Sequence, residues 1–250
     1  MGVFAQLLTQ ARQKGGSFWV LIDPDARQDH QLAHFVKMIC QQQVDAILVG
    51  GSLILGAYFQ EALRTVRANS TVPVILFPGS VSQVTNKADA VLFISLISGR
   101  NPAFLFGEHV IAAPIIRELG IEPISTGYML FESGRTTTAE FMSNTRPLPI
   151  NKPEIAMAHA LAAQYLGMST VYLEAGSGAD RPVPNEIVRA VSQYVQIPLI
   201  VGGGIRTPEE ARAKVEAGAT FVVTGNVLED DSQLEKVAEF ARAIHCREHL

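Results

Sequence analysis

A single (β/α)8 barrel, an α/β fold, is the architecture expected of this 250-residue chain, and three observations lead there. Short runs rich in Val, Ile, Leu and Phe recur eight times, each followed by a longer helix-like segment. The runs are nearly continuous in apolar residues rather than alternating, as strands buried on both faces of a parallel sheet are. Eight such units in 250 residues also match the usual size of the barrel. A doubly wound open sheet is the competing architecture. No linker, low-complexity tract or charge block argues for a second domain.

The elements follow in order. Residues 1–15 read as a helix capping the barrel. The first strand, 18–23, ends on Asp23-Pro24-Asp25, and Asp25 to Gln28 reads as a capping box for a helix continuing through 31–42. The second strand, 46–50, runs into Gly50-Gly51-Ser52, and the third, 74–78, into Gly79. Only ten residues, 80–89, precede the fourth strand, 90–96. A return helix must cover about 17 Å, or roughly eleven residues at ~1.5 Å each. The third helix is therefore predicted to be stunted or missing. Pro102 opens the fourth helix and Gly120 closes it. The fifth strand, 123–129, leads into the polar stretch Glu132–Lys152, a length uncommon outside lids and binding loops; a loop without function is the alternative. Helix 153–166 starts at Pro153 and stops at Gly167, before strand 170–174. Pro184 starts the next helix, which leads to strand 199–202. Helix 208–217 is bounded by Pro208 and Gly218, and strand 221–224 precedes a last helix, 232–244.

Composition narrows the function. Twenty Lys and Arg against 24 Asp and Glu give a net charge of −4, without the basic excess that nucleic-acid binding usually needs. An anionic ligand must then be held locally, by backbone amides, a metal or a few placed cations. Two cysteines, Cys40 and Cys246, are too few for a disulfide framework and fit a reducing cytosol. No apolar stretch approaches the ~18 residues of a spanning helix, and no signal peptide or lipidation pattern is evident. The expectation is a cytoplasmic protein without a stable membrane anchor.

Active sites of such barrels form at the C-terminal strand ends, and polar residues and glycines crowd them here. Val201–Ala211 (VGGGIRTPEEA) runs a glycine-rich loop into a helix with Thr207 as N-cap, Pro208 at N1 and Glu210 at N3. Bare amides and a helix start suit an anion. With Thr224-Gly225-Asn226 alongside, they read as a phosphate cradle, although tight turns also use glycine triplets. Asp23 looks toward Ser52, and a carboxylate, a hydroxyl and ligand oxygens suit Mg²⁺; capping the first helix is the plain alternative. Glu174, among apolar neighbours, should point into the barrel mouth. There it would do acid–base work or hold a hydroxyl, unless it pairs with a buried cation. Asp45 and Asp89, at the opposite ends, read as structural. The pairs His30/His34 and His245/His249 have helical metal spacing but lack a third ligand.

Seven motifs, FWVLIDPD, ILVGGS, SLISGRNP, ISTGYML, VYLEAGSG, PLIVGGGIRTPEEA and VVTGN, run in order from Phe18 to Asn226. Together they resemble the geranylgeranylglyceryl phosphate synthases, including bacterial relatives that use heptaprenyl diphosphate. VYLEAGSGA looks like the second of the family's two groups. The resemblance implies transfer of a polyprenyl group, twenty carbons being the expectation, from its diphosphate to the C3 hydroxyl of sn-glycerol 1-phosphate. It implies Asp23 and Ser52 as Mg²⁺ ligands. It implies Tyr172, Leu173, Glu174, Ala175, Gly176, Ser177 and Gly178, with Gly203, Gly204, Gly225 and Asn226, as the glycerol phosphate site. Of these, Tyr172 reads as packing on its own. Glu174 would hold the hydroxyl and take its proton, and Arg100 and Asn101 would meet the diphosphate. A missing third helix would leave an apolar groove for the prenyl chain. A homo-oligomer, hexamer or dimer, also follows. Two rivals stay open: a phosphosugar isomerase or lyase, which needs no metal, and a non-catalytic phosphate-binding barrel.

Overall fold

The apolar runs become strands with boundaries within about a residue of those their composition suggests. The computed structural model describes residues 1–24, 29–54, 58–225 and 234–247. Strands β1 (Ser17–Ile22), β2 (Ala46–Gly51), β3 (Val74–Pro78), β4 (Ala90–Leu96), β5 (Glu122–Leu130), β6 (Thr170–Glu174), β7 (Leu199–Gly202) and β8 (Phe221–Thr224) pair in chain order, and β8 returns to β1. Every pairing is parallel. The sheet is a closed barrel, so the open doubly wound arrangement is excluded.

Around it lie α2 (Asp29–Gln41), α3 (Phe59–Asn69), α4 (Glu108–Leu119), α6 (Pro153–Tyr165), α7 (Asn185–Tyr194), α8 (Pro208–Glu216) and α9 (Leu234–Ile244), with α1 (Val3–Lys14) before the barrel and a short α5 (Thr138–Ser143) after β5. The capping box at α8 forms as its sequence dictates: Glu210 N–H donates to Thr207 Oγ1 at 3.2 Å and Thr207 N–H to Glu210 Oε2 at 3.3 Å. The box expected at Asp25–Gln28 lies outside the described residues. Pro102 begins a π-helical turn, Ala103–Gly107, that leads into α4.

Side-chain alternation sorts the strands into two cores. Trp19, Leu48, Leu92, Tyr172, Ile200 and Phe221 fill the barrel, while Val20, Ile47, Val91, Leu173 and Val222 face the helices. Leu7 and Ala11 of α1 pack into the interior cluster from below, and Phe4 meets Phe221 at 5.6 Å. Glu122, at the start of β5, accepts hydrogen bonds from the first N–H groups of α1, those of Val3 and Phe4, and so fixes its N-terminus.

The bottom also holds a buried polar knot. Asp45 accepts from the Phe18 N–H at 2.7 Å, from His245 Nε2 at 2.8 Å and from Lys14 Nζ at 2.8 Å. It ties the end of α1, the first two strands and the segment after α9. Asp45 is structural, as expected. His245, whose helical spacing suggested a weak metal pair, serves this carboxylate instead.

Between β3 and β4 the outer ring is breached. A single 3-10 turn, Val81–Gln83, replaces the third helix, as the ten-residue spacing requires. Residues 132–152 are structured. Phe131 bridges Leu148, and Thr137 caps α5 by accepting from the Glu140 N–H. Asn101 Nδ2 donates to the Ser143 carbonyl at 3.1 Å, which seats α5 over the end of β4.

Candidate active site

An isolated carboxylate at the inward end of a central strand has no water to solvate it. Glu174 ends β6 at 5% exposure, opposite Leu130 on one side and Gly202 on the other. Burial pushes its pKa up to about 7, against the opposing pull of the Gly176 amide, which donates at 2.6 Å, and of the nearby Tyr172 phenol. Tyr172 is fully buried, and its hydroxyl lies near Glu174 without a hydrogen bond of good geometry. It stacks on Phe77 at 5.6 Å and meets Tyr128 edge-on at 5.3 Å. A buried orphan hydroxyl beside a buried carboxylate is costly unless a polar ligand uses it.

The glycines make the room. Gly203, at φ +78°, lies so close to Glu174 that a Cβ there would stand 2.1 Å from Oε1 and 2.7 Å from the Gly176 nitrogen. Gly204 rests on the backbone of Arg181 and Pro182, and Gly176 on the side chain of Thr137. The β6 loop, the β7 loop and the segment before α5 thus form one cradle around Glu174. Gly203→Ala is expected to cost about 1–3 kcal/mol of stability through its strained backbone. It should also weaken binding of an anion such as a phosphate ester in the cradle at least about tenfold, since a clash here moves Glu174 and two amides together. Calorimetry and thermal unfolding would measure both.

The remaining expected residues are placed unevenly. Gly178 and Ser177 sit in the β6 loop, and the Arg135 guanidinium lies over Gly178. Leu173 and Ala175 face the outer core, so only their backbones can serve a ligand. Gly225 follows β8 and approaches Leu21, and Asn226 lies outside the described residues. Arg100 is exposed, with Nη1 on the Gly99 carbonyl at 2.7 Å. Asn101 is engaged at both ends of its amide, by Ser143 and by the Ala103 N–H, so its side chain positions α5. Asp23 and Ser52 are exposed on the neighbouring ends of β1 and β2. A carboxylate and a hydroxyl are hard oxygen donors and fit a partial Mg²⁺ shell completed by ligand oxygens. Among the described residues no cluster of three or more His, Cys, Asp or Glu side chains could hold a metal alone.

An apolar channel enclosing about 160 Å³ opens from this rim into the breach. Ser52, Phe77 and Tyr128 stand at its mouth; Val91, Phe93 and Ala112 line its course outside the barrel. α5 walls it with Ala139 and Met142. His109 of α4 also lines it, buried, with neither ring nitrogen hydrogen-bonded and its pKa lowered by burial. Sequence reasoning misses Tyr128, Thr137 and His109. Tyr128 lies in the ISTGYML motif without being singled out, and nothing in the local pattern marks His109, which sits in a helix whose exposed side carries Val110, Ile111 and Ile115.

Fold and site together define a (β/α)8 barrel in which an apolar channel reaches Tyr128, which packs on the Tyr172 that adjoins a buried carboxylate in a glycine cradle. Residues 9–244 match the PcrB family model. The chain belongs to the PcrB family. It is 44% identical over 229 residues to the geranylgeranylglyceryl phosphate synthase of Chitinophaga pinensis, covering 92% of this chain and 90% of that one. The synthase of Thermococcus kodakarensis is 45% identical, with 88% and 87% covered. The crystal structure of (S)-3-O-geranylgeranylglyceryl phosphate synthase from Thermoplasma acidophilum, in complex with its substrate sn-glycerol-1-phosphate, superposes with a TM-score of 0.92 at 36% identity, covering 98% of both chains. Thiamine phosphate pyrophosphorylase from Pyrococcus furiosus, at 14% identity and a TM-score of 0.60, shares the fold alone. Among the described residues no helix is long and apolar enough to cross a membrane.

Proposed function

We propose that this protein transfers a polyprenyl group, of twenty carbons, from its diphosphate to the C3 hydroxyl of sn-glycerol 1-phosphate, releasing diphosphate. One observation carries the reading: Tyr128, at the channel mouth, touches Tyr172, and Tyr172 adjoins Glu174 in the glycine cradle. An apolar channel and a glycine cradle therefore lie on either side of the Tyr128–Tyr172 pair beside one base. An isomerase would have no use for the channel, and a sensor none for a buried base.

In this reading the cradle of Gly176, Gly203 and Gly204 binds glycerol phosphate and presents its hydroxyl to Glu174. The channel holds the prenyl chain, with its first carbon at the rim by Phe77 and Tyr128. Asp23 and Ser52 would hold Mg²⁺, and Arg100, exposed after β4, would meet the diphosphate. When bound, that ion offsets charge on the departing diphosphate. As the allylic C1–O bond breaks, positive charge at C1 faces aromatic rings whose quadrupoles favour it. The C3 oxygen forms the new C–O bond and its proton passes to Glu174 Oε2 or Oε1, while the bond electrons leave with the diphosphate. Orientation supplies much of the acceleration. The same reading takes the protein as a cytoplasmic homo-oligomer.

The test is a turnover assay with radiolabelled sn-glycerol 1-phosphate, Mg²⁺ and prenyl diphosphates of increasing length. Label should enter the organic phase only with Mg²⁺ and peak at twenty carbons. Absence of extractable label with every diphosphate would overturn the reading. Ala112→Trp, which fills the channel from α4, should raise KM for the prenyl diphosphate about tenfold or more. Affinity for glycerol phosphate should stay within about twofold, because the two compartments share only their junction.

A further inference from the structure

The loop after β6 carries the candidate phosphate glycines, yet its far end is held by two cations from the next unit. Lys214 of α8 is 4% exposed, and no carboxylate is among the hydrogen-bond partners of its ammonium. Nζ donates to the Val183 carbonyl at 2.6 Å and to Asn185 Oδ1. Burial lowers its pKa to about 8, with Glu210 and Glu186 pulling the other way. A lysine buried at such cost, and spending its hydrogen bonds on loop oxygens, points to a task in that loop. Arg206, between the Gly203–Gly204 turn and α8, sends Nη2 to the Ala179 carbonyl at 2.9 Å, next to Gly178. Its own N–H donates to Glu210 Oε2 at 2.6 Å, so the α8 cap fixes its backbone. Between these two points, Gly204 lies against Arg181 and Pro182.

We infer that Arg206 and Lys214 are positioning residues that clamp the β6 loop onto the β7–α8 unit, so that the two halves of the glycerol phosphate cradle act as one rigid surface. Neither touches the substrate in this assignment. Each works through a carbonyl whose loop carries Gly176 and Gly178. The inference rests on the function proposed above.

Calorimetric titration of sn-glycerol 1-phosphate into the full-length protein tests it, with Arg206→Met and Lys214→Met beside the wild type. Both variants should bind about tenfold more weakly, in the range for residues that act through an intervening element. In the turnover assay KM for glycerol phosphate should rise to match, while KM for the prenyl diphosphate moves less than about twofold. Lys214→Met leaves the Val183 carbonyl and Asn185 Oδ1 without their donor and lowers stability, but Arg206 is exposed, so Arg206→Met gives the answer in a folded protein. A merely structural tie would leave the phosphate affinity alone or shift both KM values together. Wild-type binding with Arg206→Met within twofold of it overturns the clamp alone. Wild-type protein that does not bind sn-glycerol 1-phosphate overturns the underlying function, and the clamp with it.

Discussion

Glu174→Gln should lower turnover by roughly 10²–10⁴-fold while leaving glycerol phosphate affinity largely intact. The amide keeps the shape and can still accept from the Gly176 N–H, but it cannot take the proton of the C3 hydroxyl. The wild-type pH profile should carry the same signature. Glu174 titrates near 7 because it is buried, so kcat/KM should fall as pH drops through about 7 and the carboxylate becomes protonated. That limb should be absent in Glu174→Gln. The variant should also be the more stable protein above neutral pH. The folded state holds a proton that the unfolded chain, with its ordinary value of 4.5, has already released. Stability therefore falls as pH rises from about 4.5 to 7, by on the order of 3 kcal/mol. Thermal unfolding at pH 8 would show a higher Tm for the glutamine. Unchanged turnover in the variant would remove Glu174 from the proton-accepting role.

Asp45→Ala should destabilise the barrel by about 3–5 kcal/mol, the range for removing one partner of a buried charged pair. The substitution strands the Phe18 N–H and the fully buried His245 ring, and it releases Lys14 from α1. The wild type should show the corresponding acid limb. Burial alone would raise the Asp45 pKa, but the His245 hydrogen bond and charge, Lys14 and the Phe18 amide outweigh it and hold it below its ordinary 3.8. The stabilisation is thus complete above about 4 and is lost as pH falls through the lowered value. Denaturant unfolding of both proteins at pH 7 and pH 3 checks this: the gap should be smaller at pH 3 than at pH 7.

The sequence makes the scaffold far more legible than the contacts between its parts. β3, β4, β6, β7 and β8 begin and end where their apolar runs do, because strands covered on both faces leave little freedom in composition. The missing helix is equally legible, since ten residues cannot make the return trip. Glu174 is legible because a carboxylate in such a strand has few bland explanations. Tyr172 is not, because a tyrosine in a core strand looks like packing until its hydroxyl proves to lack a partner. The Asp45–His245 contact joins residues 200 apart, and no local period encodes it. α5 hides in a polar stretch for a related reason. Six residues held by Thr137 and by Asn101 from another strand end owe their helix to tertiary contacts rather than to an amphipathic pattern.

The breach in the helical ring has a thermodynamic meaning. Among the described residues a helix follows every strand but β3, and the outward Val91 and Phe93 of the neighbouring β4 face the channel. In the proposed reaction an isoprenoid tail lying there would do the work of the absent helix, so the reactant would serve as a removable piece of the hydrophobic core. Loading should then look like the last step of folding, with a negative heat-capacity change and a raised melting temperature. Release of the proposed ether product would return the protein to its unfinished form.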